Sequence, residues 1–253
     1  MQLTFLGTGT SQGVPMIGCK CRVCQSDDPR NKRLRTSVLI QSESTSVVID
    51  SGPDFRQQML RENVNRLDAV LFTHEHKDHI AGLDDVRAYN YLTGKEMEIY
   101  ATERVQEALR REFFYVFSGA KYPGIPRLNL QTISNKPFQI GDIPFIPIEV
   151  SHLNLPVLGF RIGDFTYITD ANLIPDSEKE KIKGSRFIAI NALRNEKHVS
   201  HFTRDEAVEI IREFNPERAF LIHISHQLGL HEKVNAELPE NIECAYDGLQ
   251  VEF

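Results

Sequence analysis

Residues 70–79, Val-Leu-Phe-Thr-His-Glu-His-Lys-Asp-His, set three histidines and an aspartate at H-x-H-x-D-H spacing directly behind a short apolar run. The apolar residues read as a buried β-strand and the polar ones as the loop it delivers. Scattered surface histidines do not produce such density at one strand end. Imidazole and carboxylate are ligands that first-row divalent cations take at neutral pH. As alternate residues, His74 and His76 can converge on one ion. Asp78 and His79, adjacent and pointing differently, can serve a second. A chain carrying this loop must fold so that distant segments bring the remaining ligands to the same end of a sheet.

Candidates lie where other strand-like runs finish. Residues 145–150 lead into His152, 165–169 into Asp170 and 219–222 into His223. Singly, each has a bland reading: a lone histidine after a strand is usually a hydrogen-bonded structural residue, and a lone aspartate a turn or cap. Three of them behind an H-x-H-x-D-H loop shift the balance toward a site, because functional residues gather on loops presented by rigid strands. The expected division gives His74, His76 and His152 to one ion and Asp78, His79 and His223 to the other, with Asp170 bridging. Two cations roughly 3.5–4 Å apart would acidify a shared water into a hydroxide nucleophile, which places Asp78 among the catalytic residues as well as the ligands. Asp50, in Val48-Ile49-Asp50-Ser51-Gly52, reads either as an acceptor that fixes the ligand loop from behind or as an Asx-type turn.

Further strand-length runs rich in β-branched residues occur at 3–6, 37–40, 47–49, 98–100, 144–150, 157–162 and 187–190. Apolar residues at helical spacing mark 54–62, 102–113, 176–183 and 203–214. Thr203 and Glu206 form a capping box for the last of these, and Pro216 stops it. The strands come in groups rather than in strict βαβα alternation, which predicts an α/β layered sandwich over a doubly wound parallel sheet. No repeat or linker divides residues 1–253, so they read as one domain. The loop from Gly7 to Gly13 spaces its glycines G-x-G-x3-G and no amphipathic helix follows, which rejects a dinucleotide fingerprint.

No run of eighteen apolar residues is present, so no membrane span is expected. The start lacks a basic and an apolar leader region and reads as the first strand of a cytoplasmic protein. A net charge of −6 argues against a nucleic-acid partner. Arg22, Arg30, Lys32, Arg33 and Arg35 nevertheless cluster, and such a stretch could meet a phosphate or be a solvated loop. Without an export signal, Cys19-x-Cys21-x2-Cys24 reads as a metal clip rather than a disulfide framework, and Cys244 as a small buried hydrophobe.

With these residues the chain resembles the metallo-β-lactamase superfamily along essentially its whole length. Within it the chain is similar to the PhnP-type cyclic-phosphate phosphodiesterases. The shared features are Gly7-Thr8-Gly9 with Gly13-Val14-Pro15, the cysteine cluster, the H-x-H-x-D-H loop, Thr169-Asp170, Ile222-His223-Ile224-Ser225-His226-Gln227 and Tyr246-Asp247-Gly248. The resemblance implies a four-layer αββα sandwich, two divalent cations (manganese or zinc) at the active site and a small anionic phosphodiester substrate, such as a cyclic phosphoribosyl type. It implies that Cys19, Cys21, Cys24 and His226 hold a structural zinc. It also implies that His201 contacts phosphate and protonates the leaving group, a task suited to a pKa near 7, with His198 as local rival. A tRNA 3′-processing endonuclease or a lactone or thioester hydrolase on the same fold are the alternatives; the basic tRNA-binding arm of the first is missing. The aromatic segment 113–127 reads as core first, and as a lid or homodimer face second.

Overall fold

The computed structural model describes residues 1–119 and 122–253. In chain order the strands are β1 (Gln2–Gly7), β2 (Ser37–Gln41), β3 (Ser46–Ile49), β4 (Ala69–Leu71), β5 (Met97–Ala101), β6 (Leu128–Thr132) and β7 (Phe138–Ile140). They continue as β8 (Ile143–His152), β9 (Leu155–Ile162), β10 (Phe165–Ile168), β11 (Phe187–Asn191), β12 (Arg218–Ile222), β13 (Ile242–Cys244) and β14 (Gln250–Glu252). The helices are α1 (Phe55–Arg61), α2 (Lys77–Ile80), α3 (Arg87–Thr93), α4 (Glu103–Glu112), α5 (Phe114–Phe117), α6 (Asp176–Ile182), α7 (Arg204–Phe214) and α8 (His231–Glu237).

The strands form two sheets, ordered β14-β1-β2-β3-β4-β5-β6 and β13-β12-β11-β10-β9-β8-β7. Each sheet begins with antiparallel pairs and becomes parallel from β3 to β6 and from β10 to β13. Alternation places one face of each sheet inward: Leu3, Phe5, Val38, Ile40, Val47 and Ile49 meet Phe145, Phe160, Tyr167, Ala189 and Phe220 between the layers. On the outer faces Leu39, Val48, Val70 and Ile99 pack under α1, α3 and α4, while Ile168, Ile188, Ile190 and Leu221 pack under α6 and α7. The result is the αββα sandwich the resemblance implied.

The expected strands and the helices at 54–62, 102–113, 176–183 and 203–214 all form, within a residue or two of their ends. Thr203 and Glu206 make the reciprocal capping box, worth about 1 kcal/mol, and Asn215 closes α7 at φ 48°. The sequence pattern did not announce β6, because Asn129 and Gln131 interrupt its apolar run at the edge of a sheet. In the aromatic segment Tyr115, Val116 and Phe117 lean on the core under the first sheet, whereas Phe114 is exposed. Residues 120 and 121 of that segment lie outside the described residues. Cys244 is buried as expected. No helix among the described residues is long and apolar enough to cross a membrane.

This architecture decides where the site lies. Asp50 follows β3, His74 follows β4, Asp170 follows β10 and His223 follows β12, while His152 is the last residue of β8. The C-terminal ends of parallel strands from both sheets open at one edge of the sandwich, the usual place for a site in sheets of this kind.

Candidate metal centre and active site

Asp170 stands at the middle of the site. Its Oδ2 lies 3.7 Å from His74 Nε2 and 3.4 Å from His79 Nε2, and its Oδ1 lies 3.0 Å from His223 Nδ1. Three groups of ligand atoms share this carboxylate, each group with all its atoms within 4.8 Å of one another: Asp78, His79, Asp170 and His223; His74, His76 and Asp170; His152, Asp170 and His201. His152 thus groups with His201 at this distance, although its ring also stands 5.1 Å from that of His76. All seven expected ligands are gathered into one pocket, from four segments of the chain.

Backbone strain accompanies the gathering. Asp50, Asp170 and His223 have φ of 66°, 52° and 54°, a left-handed conformation that costs a non-glycine residue roughly 1–2 kcal/mol. Each sits where a strand ends and the chain must turn its side chain toward the cavity. Close backbone contact at the same place requires Gly52: a Cβ there would meet the Asp78 carbonyl oxygen at 2.1 Å.

The hydrogen bonds behind the ligands fix their tautomers. His79 Nδ1 lies 2.7 Å from Asp50 Oδ2, and an ionised carboxylate only accepts, so His79 Nδ1–H donates. The Thr73 hydroxyl donates its single proton to Asp50 at 2.8 Å and therefore receives Nδ1–H of His74 at 2.9 Å. His152 Nδ1 donates to the Ser200 carbonyl at 2.7 Å. In the neutral form of each ring Nε2 is then the lone pair that faces the pocket. Asp50 is thus an acceptor behind the ligand loop, also taking the Thr73 backbone N–H at 2.9 Å, and not an Asx turn. Thr73 and Thr10, 3.3 Å from His223 Nε2, carried no signal in the sequence beyond their neighbours, whereas Thr169, which donates to Asp170 Oδ1 at 2.6 Å, entered only through the shared Thr169-Asp170 pair.

These donors fit divalent cations. His74 Nε2, His79 Nε2 and His223 Nδ1 are buried and make no well-aligned hydrogen bond, although Asp170 oxygens stand 3.7, 3.4 and 3.0 Å away, a spacing that suits ligand atoms around a common ion. Charge follows the same geometry. Burial, reinforced by His79, holds His74 well below the usual histidine range. Burial would also lower His79, but Asp78, Asp170 and Asp50 around it raise it well above. Asp170 is penalised by burial yet held far down by His223 and His79. Carboxylate and imidazole at this density make the donor set of a zinc, manganese or iron site.

His201 joins this pocket, buried at 9% exposure, with its ring 4.5 Å from His152 and 4.9 Å from His223 and its Nδ1 unpartnered. The environment differs from the expected pKa near 7: burial first, then the charge of His223, push it down to about 3. A neutral imidazole is therefore the resting form at this position. His198 is shallower, 5.1 Å from His201, and Ser200 N–H donates to its Nδ1 at 3.3 Å.

The cysteine loop meets the strand that carries His223. Cys19 Sγ and Cys21 Sγ lie 3.4 and 3.3 Å from His226 Nδ1, and Cys24 completes a group whose ligand atoms all fall within 4.8 Å. The Cys24 N–H donates to Cys21 Sγ at 3.4 Å and is the main reason its pKa falls to about 6, whereas burial pushes Cys24 up to about 11. Three thiols and an imidazole in this arrangement suit a closed structural zinc site. Three of the nearby basic residues are engaged within the scaffold: Arg30 pairs with Asp28 at 2.7 Å, Arg35 with Asp54 at 3.1 Å, and buried Arg33 donates to Thr8 Oγ1 at 2.8 Å.

Comparison with known proteins fits this geometry. Residues 45–224 match the beta-lactamase superfamily domain. A crystal structure described as a new diphosphatase from the PhnP family is 40% identical, with a TM-score of 0.93 over 100% of this chain and 96% of that one. Zn(2+)-bound PqqB from Methylobacterium extorquens shares the fold at 18% identity, with a TM-score of 0.82 and full coverage of both chains. An octanoyltransferase of Porphyromonas gingivalis is 42% identical over 99% of this chain but only 51% of its own length. The chain spans about half the length of the curated relatives it matches. The domain match and the end-to-end similarity to a PhnP-family structure together make this chain a PhnP-like member of the metallo-β-lactamase superfamily.

Proposed function

We propose that the chain is a dinuclear metal-dependent hydrolase that cleaves a small anionic phosphodiester, with a cyclic phosphoribosyl-type ester as the leading candidate. The observation that carries this reading is the sharing of Asp170 among separate ligand groups, which suits one carboxylate between two cations. Asp78, His79 and His223 would hold one cation and His74, His76 and His152 the other. A third ion, zinc, would sit among Cys19, Cys21, Cys24 and His226. Cations so held supply Lewis acidity toward a phosphoryl oxygen and acidify water.

The protein's own groups do the rest. Asp50 and Thr73 orient the His74 and His79 rings before substrate arrives, so no reorganisation is needed at the moment of reaction. His201, neutral and buried beside His152, is placed to donate a hydrogen bond to a phosphate oxygen. Burial of Asp170 at 2% exposure keeps bulk water from competing with these contacts.

A second reading is diphosphate cleavage, favoured because the 40% identical PhnP-family protein is described as a diphosphatase. The octanoyltransferase name assigns no acyl chemistry here, because half of that protein lies outside the match. The test is a metal-reconstituted screen over cyclic phosphodiesters, linear phosphodiesters, diphosphate diesters, lactones and thioesters, with Asp170→Asn as control. Hydrolysis of bis(p-nitrophenyl) phosphate that Asp170→Asn abolishes is the expected result. Turnover undiminished in that variant, or confined to lactones and thioesters, refutes the proposal.

A further inference from the structure

The ligands of the pocket belong to two different sheets. His74, His76, Asp78 and His79 follow β4 of the first, whereas His152, Asp170 and His223 lie at the ends of β8, β10 and β12 of the second. How the sheets sit against each other therefore sets the spacing of the ligand groups.

Residues 8–10 stitch the sheets together beside His223. Gly9 bridges Arg35, on the segment leading into β2, and Ile224, which follows β12. Its N–H donates to the Leu34 carbonyl at 2.7 Å, and its carbonyl accepts the Thr36 N–H at 3.0 Å. On the other side Ile224 N–H donates to the Thr8 carbonyl at 2.9 Å and Thr10 N–H to the Ile224 carbonyl at 3.1 Å. The approach is close: a Cβ on Gly9 would meet the Arg33 carbonyl oxygen at 2.8 Å. Thr10 ends the stitch with its hydroxyl 3.3 Å from His223 Nε2, the protonated nitrogen when Nδ1 is offered to an ion.

Behind the stitch lies a buried charged cluster that the proposed chemistry leaves unused. Arg33 is 4% exposed, the Asp247 side chain 8%, and fully buried Thr8 stands between them. The Thr8 hydroxyl donates to Asp247 Oδ1 at 2.7 Å and accepts from Arg33 Nη1 at 2.8 Å. Arg33 also donates to the Ala245 carbonyl and, through Nη2, to His231 Nδ1 at 3.2 Å. Asp247 Oδ2 accepts the Leu34 N–H at 2.7 Å, with Arg61 Nη1 at 3.4 Å. Residues 245–247 themselves connect β13 of the second sheet to β14 of the first.

We infer that Arg33, Thr8 and Asp247 are positioning residues: they fix the stitch, and through Thr10 and Ile224 they hold His223 in register with Asp78 and His79 across the sheets. A buried ion pair adds little net stability over apolar packing; its use here is a single allowed geometry. The inference rests on the dinuclear reading for the ion that His223 shares with Asp78 and His79. Groups that orient a ligand histidine are worth about 10- to 100-fold in metal affinity.

The test uses the full chain, stripped of metal and reloaded with zinc. Stepwise affinities come from chelator competition, zinc per chain from elemental analysis, and Tm from melts of the metal-free forms. Wild-type protein is expected to take two ions into the pocket besides the one in the clip. Thr8→Val keeps shape and removes the bridging hydroxyl. It weakens one pocket step by about 10- to 100-fold and leaves the other step and the clip zinc intact. Thr8→Ser restores the lost affinity, and Asp247→Asn, a milder change, weakens the same step. Every affinity is measured well below the Tm of the metal-free variant, where a purely structural role would not move it. Unchanged pocket affinities in folded variants, equal losses at every step with the clip included, or no rescue by Thr8→Ser overturn the proposal. So does failure of both Thr8→Val and Asp247→Asn to fold. A wild-type pocket that holds a single ion brings down the dinuclear reading alone, and the affinity of that ion in Thr8→Val then decides the positioning role.

Discussion

Replacing Asp50 by asparagine isolates the role of tautomer control. The substitution keeps shape, and asparagine is at ease at φ 66°, so the backbone has no reason to move. Asp50 now accepts from the Thr73 N–H, the Thr73 hydroxyl and His79 Nδ1, at 2.9, 2.8 and 2.7 Å. Asparagine offers one carbonyl oxygen to these donors. If that oxygen keeps the Thr73 N–H, the amide nitrogen faces His79 Nδ1, the proton moves to Nε2, and the lone pair that faces the pocket is lost. If the amide flips, the buried Thr73 N–H is stranded instead. Either outcome removes a bond to a buried carboxylate, about 1.5–3 kcal/mol, or about 3–12 °C in Tm for a chain of this size. Loss of a group that orients a metal-binding histidine lowers metal affinity by about 10- to 100-fold. Chelator-competition titration of wild-type and Asp50→Asn proteins, with thermal melts of both metal-free forms, measures the two effects separately. A folded Asp50→Asn protein with unchanged metal affinity would refute the tautomer argument.

Other expected outcomes follow the same logic. Cys21→Ser should reduce zinc per chain and lower Tm, read by elemental analysis and calorimetry; undiminished zinc counts against the clip. His201→Ala should slow turnover by a factor that is the same for p-nitrophenyl and alkyl leaving groups, because a neutral imidazole stabilises the phosphate without delivering a resting proton. A loss that grows with leaving-group pKa would restore the protonated-acid role. Gly52→Ala drives a Cβ into the Asp78 carbonyl at 2.1 Å and should displace the ligand loop, lowering both metal content and stability; a variant with native metal content would show that the loop has slack.

The sequence by itself determined the chemistry of the ligands and which local elements carry them. H-x-H-x-D-H behind a strand, and His152, Asp170 and His223 behind others, are legible because alternation, capping and turn chemistry act over a few residues. The Thr203–Glu206 capping box and the strand-length runs at 3–6 and 37–40 belong to the same class. Tertiary structure alone decided what those residues face. The pairing of His226 with three cysteines some 200 residues away was implied only by resemblance, and becomes visible because the loop bearing Cys19 packs on the segment following β12. Arg30, Arg33 and Arg35 look alike in the sequence, yet one is buried and two are paired, since burial depends on what the fold lays over them. His201 follows the same rule: burial in the pocket first, then His223, His152 and His198, hold its imidazole neutral. Local patterns name the groups; the distances between sheets set their dielectric surroundings, their partners and the side of each imidazole that keeps its proton.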